Sequence, residues 1–255
     1  MRRLVNKVAI ITGGSGEIGF ETAKKLAKEG AKVLLVDIDE KSLKEKEKEA
    51  KDSGLEISYT VADVTKADDV KKYVATALER YGKIDLFFNN AGIEGVVKPM
   101  HEYPEDVFDK VIAVNIKGVF LGMKYVIPKI EDGGSIVITS SVAGLTGTPG
   151  MVAYNTSKHA TIGIMRVAAK ELGARKVRVN TVHPGVVDSR MMRSLEDGIN
   201  PNHGEDVKSE FEKQIPLGRY ATSENVSDMV TFLFSDESSY VHGSIFVVDG
   251  GFTEQ

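Results

Sequence analysis

The stretch from Ser141 to Lys158, SVAGLTGTPGMVAYNTSK, carries a hydroxyl, a phenol and an ammonium that could work on one oxygen atom. Tyr154 and Lys158 are spaced Tyr-x-x-x-Lys, and residues four apart on a helix lie one turn apart on the same face. A free phenol is a poor acid–base catalyst at neutral pH, because its pKa is about 10. A neighbouring cation stabilises the phenolate and moves that value toward the working range. Ser141 could hydrogen-bond the same reacting oxygen. The spacing alone also arises by chance, as a tyrosine ring packed on a lysine stem, so the rest of the chain has to decide.

A second chemistry-bearing stretch lies near the N-terminus. Lys7 to Ile11, KVAII, is a short apolar, β-branched run of the kind that forms a buried parallel strand. The loop Gly13–Gly19 follows, then a helical pattern with Ala23, Leu26 and Ala27, closed by Gly30, then a strand, Val33–Val36, ending in Asp37. Within the loop, Gly14-Ser15-Gly16-Glu17-Ile18-Gly19 satisfies G-x-G-x-x-G. In that setting the glycines permit a tight turn, let a pyrophosphate approach the backbone and let the helix pack close to the strand. The helix N-terminus then offers free N–H groups and a positive dipole end. Asp37 can accept hydrogen bonds from the adenosine ribose. It would repel a 2′-phosphate, and no arginine adjoins it, so NAD is expected rather than NADP.

These stretches need elements to position them, and the sequence supplies a regular alternation. Further strands are expected at Ile57–Val61, Ile84–Phe88, Ser135–Thr139, Val177–Val182 and Ser244–Val248. Helices are expected from about 105 to 130, 151 to 174 and 224 to 235. Asn115 interrupts the first of these and is expected to kink it or bond to backbone. The two longer helices carry more apolar surface than one sheet face needs, which suggests a symmetric subunit interface. Residues 189–216, with Gly198, Pro201 and Gly204, read as a mobile loop with short helices that lids the substrate. The expected fold is an α/β, Rossmann-type, doubly wound parallel sheet of about seven strands in one domain spanning 1–255. Ligands in such sheets bind outside the C-terminal strand ends. The glycine loop, Asp37, Asp63, Asn90, Ser141 and the Pro184–Ser189 segment all fall there, and that convergence outweighs chance for Tyr154.

Composition narrows the rest. The chain has 255 residues, 42% hydrophobic and 27% charged, with a net charge of −4, which argues against nucleic acid or an anionic membrane as partner. Zero cysteines exclude disulfides, thiolate metal sites and a cysteine nucleophile. No apolar run is long enough for a signal-peptide core or a membrane span, so a soluble, cytoplasmic protein is expected. There is no G-x-S-x-G, no G-K-[ST] after the glycine loop and no metal-ligand spacing, so hydrolase, P-loop and metal chemistry are not expected. A binding-only sensor or scaffold of the same fold is the alternative to an enzyme, and the complete Asn-Ser-Tyr-Lys set speaks against it.

The chain resembles the short-chain dehydrogenase/reductase family nearly end to end. The resemblance rests on Thr12-Gly13 with its glycine loop, Asn89-Asn90-Ala91-Gly92, Asn115, Ser141 with Tyr154-x-x-x-Lys158, Pro184-Gly185 with Ser189, and Val248-Asp249-Gly250-Gly251. It implies an NAD(H)-dependent dehydrogenase or carbonyl reductase acting on a small alcohol or ketone. Tyr154 would be the general acid–base, and Lys158 would bind the nicotinamide ribose and lower the pKa of Tyr154. Ser141 would orient the reacting oxygen, and Asn115 would hold a relay water. Asp63 and Val64 would meet the adenine, and Asn90, Ala91 and Gly92 the ribose side. Pro184, Gly185, Val187 and Ser189 would meet the carboxamide side. Gly13, Ser15, Gly16, Glu17, Ile18 and Gly19 would cradle the phosphates. Members are commonly homotetramers. The chain departs at Glu17, where the family's loop has glycine. Its carboxylate either crowds the pyrophosphate or points to solvent, with Gly16 allowing the close approach. Ser189 stands where threonine is common. The expected substrate wall is mostly apolar, with Met151, Met191 and Met192 beside Ser141 and Tyr154, also Ile93, Val96 and Leu195, and Glu94 as its one charge. A small, largely apolar or cyclic alcohol or ketone is expected.

Overall fold

The computed structural model describes residues 2–254. Seven parallel strands form one sheet in the order β3-β2-β1-β4-β5-β6-β7. The first half comprises β1 (Val8–Thr12), α1 (Glu17–Lys28), β2 (Lys32–Asp37), α2 (Glu40–Asp52), β3 (Ile57–Val61), α3 (Ala67–Tyr81) and β4 (Leu86–Asn89). After it come α4 (Glu105–Ile112), a π-helical turn (Ala113–Gly118), α5 (Val119–Val126), β5 (Ser135–Thr139) and α6 (Val152–Leu172). The chain closes with β6 (Arg178–Pro184), α7 (Arg190–Ile199), α8 (Gly204–Gln214), α9 (Ser223–Phe234) and β7 (Ile245–Val248).

Why these runs became parallel strands is visible in their burial. β1 and β5 are buried at every residue, because helices cover both faces of the sheet. Side chains alternate between the two faces. Ile10, Leu34 and Val36 point to one core with Val70, Val119, Val126, Ile162 and Met165 of α3, α5 and α6. Ala9, Ile11, Val33 and Leu35 point to the other with Ala23, Leu26, Leu43, Val226 and Val230 of α1, α2 and α9. The strand order reverses between β1 and β4, which opens a crevice at the C-terminal strand ends.

Two stretches differ from the sequence expectation. The expected single helix over 105–130 is broken by the π turn, with Asn115 inside it. A π turn inserts one extra residue into the helical ladder and often marks a functional position. Residues 189–216, expected as loop with short helices, are mostly the helices α7 and α8, with Gly198 in the last turn of α7, Pro201 in the short link and Gly204 opening α8. Ser189 caps α7 by accepting from the Met192 amide.

Candidate active site

The glycine loop is shaped by backbone contact. Gly13 has φ 63°, and a Cβ there would lie 3.0 Å from the Ala91 Cα. A Cβ on Gly19 would lie 2.2 Å from the Gly13 carbonyl oxygen, which only glycine allows. Gly16, by contrast, faces open space apart from the Gly13 oxygen at 3.5 Å. Ser15 donates to Asp37 Oδ2 from its main-chain N (3.1 Å) and its hydroxyl (2.7 Å), so loop and strand end are clasped together. Gly16 N-caps α1 without a side-chain bond, and Ile18 follows Glu17 in the first turn. Glu17 does something neither expectation included. Its Oε1 accepts from the main-chain N of Arg190, at 2.9 Å, so the carboxylate reaches across to the start of α7.

Beside the loop, Thr12 holds the end of β4. Its hydroxyl oxygen accepts from the amides of Asn90 (2.9 Å) and Ala91 (3.1 Å). Asn90 Nδ2 donates back to the Thr12 carbonyl at 3.1 Å, and the Thr139 hydroxyl donates to Asn90 Oδ1 at 2.8 Å. A Cβ on Gly92 would stand 3.4 Å from both Asn115 Oδ1 and Lys158 Nζ, so this glycine keeps a space open between them. At the end of β3 the Asp63 carboxylate accepts from the Thr65 amide and hydroxyl. Burial opposes its charge, but those bonds leave its pKa below the usual carboxylate value. Val64 packs where a Cβ on Gly118 would intrude.

Ser141, Tyr154, Lys158 and Asn115 are all buried in this crevice, brought there by β5, α6 and the π turn. Lys158 Nζ sits 5.5 Å from the centroid of the Tyr154 ring and donates to the Thr139 carbonyl at 3.0 Å. Burial lowers its pKa to about 8, which leaves it charged at neutral pH. For Tyr154 the dominant influence is burial rather than the expected lowering by Lys158. Burial pushes the phenol up to about 12; a hydrogen bond with Ser141 pulls the other way, and the Glu94 charge adds to the rise. The Asn115 side chain is spent on structure. Its Oδ1 accepts from Ile93 N (2.8 Å), and its Nδ2 donates to the Ile93 carbonyl (2.9 Å) and to Ser157 Oγ (3.0 Å). Both amide hydrogens are therefore used, and a water could meet the side chain only at Oδ1.

His183, at the end of β6, has a larger part in the site than its sequence context suggested. Burial lowers its pKa to about 4, so it is neutral. Its Nδ1–H donates to the Ser141 carbonyl, and its Nε2 accepts from the Thr181 hydroxyl, both at 2.9 Å. Ser157 and Thr139 are likewise connectors that no motif marked. Beyond β6, a Cβ on Gly185 would strike Asp249, Pro184 N–H-less backbone ends the strand against Val248, and Val187 bridges to Ala221.

The substrate wall needs one correction. Met151, Tyr154 and Ala143 form a cluster with Val97, Met191 and Leu195. Met192, expected there too, faces the other way and packs with Val186, Ile215 and Tyr220. Successive helical residues point about 100° apart, whereas Met191 and Leu195 share a face. The one charge on this wall, Glu94, has a side chain only 9% exposed and takes a two-pronged ion pair from Arg190, at 3.0 and 3.3 Å. That pairing raises the Arg190 pKa.

The glycine contour, the uncapped first turn of α1 and the gap at Gly92 fit a nicotinamide dinucleotide: each is a place where main chain or a cation is left bare for a phosphate or ribose. Among the described residues no cluster of three His, Cys, Asp or Glu side chains could hold a metal ion, and no helix is long and apolar enough to cross a membrane.

Comparison with known proteins agrees with this geometry. Residues 14–253 match the family described as Enoyl-(Acyl carrier protein) reductase. The chain is 36% identical over 253 residues to levodione reductase of Leifsonia aquatica, covering 98% of this chain and 95% of that one. It is 39% identical over 251 residues to the 3-oxoacyl-[acyl-carrier-protein] reductase of Thermotoga maritima, covering 98% of both. The crystal structure of levodione reductase matches with a TM-score of 0.95 over 98% of both chains. That of NAD+-bound xylitol dehydrogenase matches with a TM-score of 0.91 at 32% identity, over 98% of this chain and 100% of that one. With its glycine loop, its Ser141, Tyr154 and Lys158 and its seven-stranded sheet, the chain belongs to the short-chain dehydrogenase/reductase family of oxidoreductases.

Proposed function

We propose that the crevice is the active site of an NAD(H)-dependent oxidoreductase that interconverts a secondary alcohol and a ketone, the chain acting as one catalytic domain. The observation that carries this is the meeting of Ser141, Tyr154 and Lys158 beside a main-chain cradle for a dinucleotide. When bound, the dinucleotide supplies or accepts the hydride. Ser141 orients the reacting oxygen by a hydrogen bond, and Tyr154 exchanges its phenolic proton with that oxygen. In reduction the phenol gives its proton to the carbonyl oxygen; in oxidation the phenolate takes it from the alcohol. Burial keeps the phenol protonated at neutral pH. Oxidation, which needs the phenolate, is therefore expected to speed up as pH rises through the alkaline range. Lys158 keeps a positive charge beside the ring, and Met151, Met191 and Leu195 exclude water from the reacting centre.

Asp37 supports NAD over NADP. The neighbouring cleft of about 550 Å³ is lined by Glu17, Glu21, Asp39 and Glu49 against Lys24, Lys46 and Arg190. Lys24 is paired with Glu21 and Glu49, and Lys46 with Glu49, so both lysines that line this cleft are already matched by carboxylates. The apolar wall supports a small, largely apolar or cyclic substrate under a lid formed by residues 189–216. Half-exposed Phe120 on α5 and Val167 on α6 support a homotetramer built on those helices. We place the protein in the cytoplasm, without a nucleic-acid or membrane partner. Kinship with the Thermotoga maritima enzyme supports a second reading, reduction of a 3-oxoacyl thioester by the same Ser141 and Tyr154.

The test is a fluorescence titration with NADH and with NADPH, followed by a substrate screen. Saturation by NADH well below NADPH, with turnover of small ketones or alcohols, is expected. Tyr154→Phe should cut kcat by roughly 10³-fold and leave NADH affinity within about twofold. Turnover of acyl thioesters alone would move the second reading to the front. Binding without any turnover would make the chain a dinucleotide sensor.

A further inference from the structure

Arg190 is held at both ends by carboxylates from distant parts of the chain. Its main-chain N–H, the first in α7, donates to Glu17 on the glycine-loop side at 2.9 Å. Its guanidinium forks onto Glu94 on the substrate side at 3.0 and 3.3 Å. The two carboxylates sit differently. Glu94 is nearly buried, whereas Glu17 is exposed and 173 residues away in sequence. The first amides of a helix have no partner within it. In α7 the Ser189 hydroxyl takes the Met192 amide, and the Arg190 amide is left for Glu17. Glu17 is thus a remote cap on α7, the helix that carries Met191 and Leu195 onto the wall beside Tyr154.

We propose that Glu17 is a positioning residue for the substrate side of the site: by capping α7 through the Arg190 amide, it holds Met191, Leu195 and the Arg190–Glu94 pair in place over the crevice. It acts from the dinucleotide loop, so the two halves of the crevice are tied through one hydrogen bond. Because the carboxylate is turned to α7, the first-turn amides of α1 stay open to a phosphate, and Glu17 does not obstruct the dinucleotide. This rests on the dehydrogenase reading of the crevice.

The experiment compares the full chain with Glu17→Ala and Glu17→Gln by amide hydrogen exchange resolved at residues 190–193. NADH titration and steady-state kinetics on the best substrate of the screen are run on the same proteins. The Ala variant should exchange the Arg190 amide roughly tenfold faster. Its substrate KM should rise roughly five- to tenfold, a larger change than that in kcat. Glutamine keeps an oxygen acceptor and should restore most of both. An Arg190 amide that exchanges equally fast in wild type and Glu17→Ala would overturn the proposal. So would weaker NADH binding with KM unmoved, which would assign Glu17 to the phosphate site alone. If no variant, wild type included, turns over any alcohol or ketone, the dehydrogenase reading fails, and with it the role in substrate binding. The exchange result then still decides whether Glu17 caps α7.

Discussion

The two sides of the crevice are built from different materials. The dinucleotide side is main chain at strand ends, where Gly13 and Gly19 touch backbone and leave no room for a side chain. The substrate side is side chains on α7, a helix outside the sheet that is fastened by caps and ion pairs. The first surface is fixed as soon as the sheet forms. The second can change its residues without disturbing the sheet, so specificity has room to vary there while dinucleotide chemistry stays put.

The sharpest way to break that contrast is to put one methyl group on each side. Gly19→Ala forces a Cβ to within 2.2 Å of the Gly13 carbonyl, and the loop has to move. It should cost about 3 kcal/mol of stability. NADH affinity should fall by roughly 100-fold. An unaffected NADH titration would show that the loop is softer than its contacts imply.

A second test concerns the sheet-borne part of the catalytic wall. Burial lowers the His183 pKa to about 4 in the folded chain, from an ordinary value of 6.5. Below pH 6.5 the unfolded chain binds a proton that the folded chain refuses, so stability falls as pH drops from 6.5 toward 4. The loss attributable to this group is on the order of 3 kcal/mol at the acid end. Denaturant midpoints for wild type and His183→Gln across that window should converge at low pH. A constant gap would mean that the ring is not held neutral against Ser141.

The smallest effects should separate two neighbours on α7. Met192→Ala opens a cavity among Val186, Ile215 and Tyr220 and should cost about 2 kcal/mol of stability, with a small change in KM. Met191→Ala should cost less stability and act on KM instead, because its side chain lines the wall with Met151 and Tyr154. Equal thermal shifts with equal KM values would erase the distinction between the two faces of the helix.

The same division governs what could be read from sequence. β5 lies at Ser135–Thr139, where the sequence pattern places it, because a strand buried on both faces is a short apolar run, and the partly buried edge strand β3 also matches its expected span, Ile57–Val61. The glycine loop was legible for a similar reason, since Gly13, Gly14 and Gly19 answer local steric demands. Asn115 was legible as an interruption but not as part of a π turn, nor was its bond to Ile93, a residue 22 positions away. The extent of the helices in 189–216 was hidden because glycines and a proline near a helix junction look like those of a loop. Met192 was misplaced for want of a helical phase, which follows only once α7 is known to start at Arg190. The partner of Glu17 could not be read at all: no periodicity links residues so far apart.

The clasp between Ser15 and Asp37 bears on how quickly a ligand is taken up. Two bonds from one residue already hold the loop against the end of β2, and Ile38 N adds a third to the same carboxylate at 2.7 Å. The loop therefore need not fold around its guest, and its ordering entropy is spent when the chain folds. Dinucleotide uptake on this side should behave as the docking of two rigid bodies, a single fast phase set by encounter rather than by a slow isomerisation.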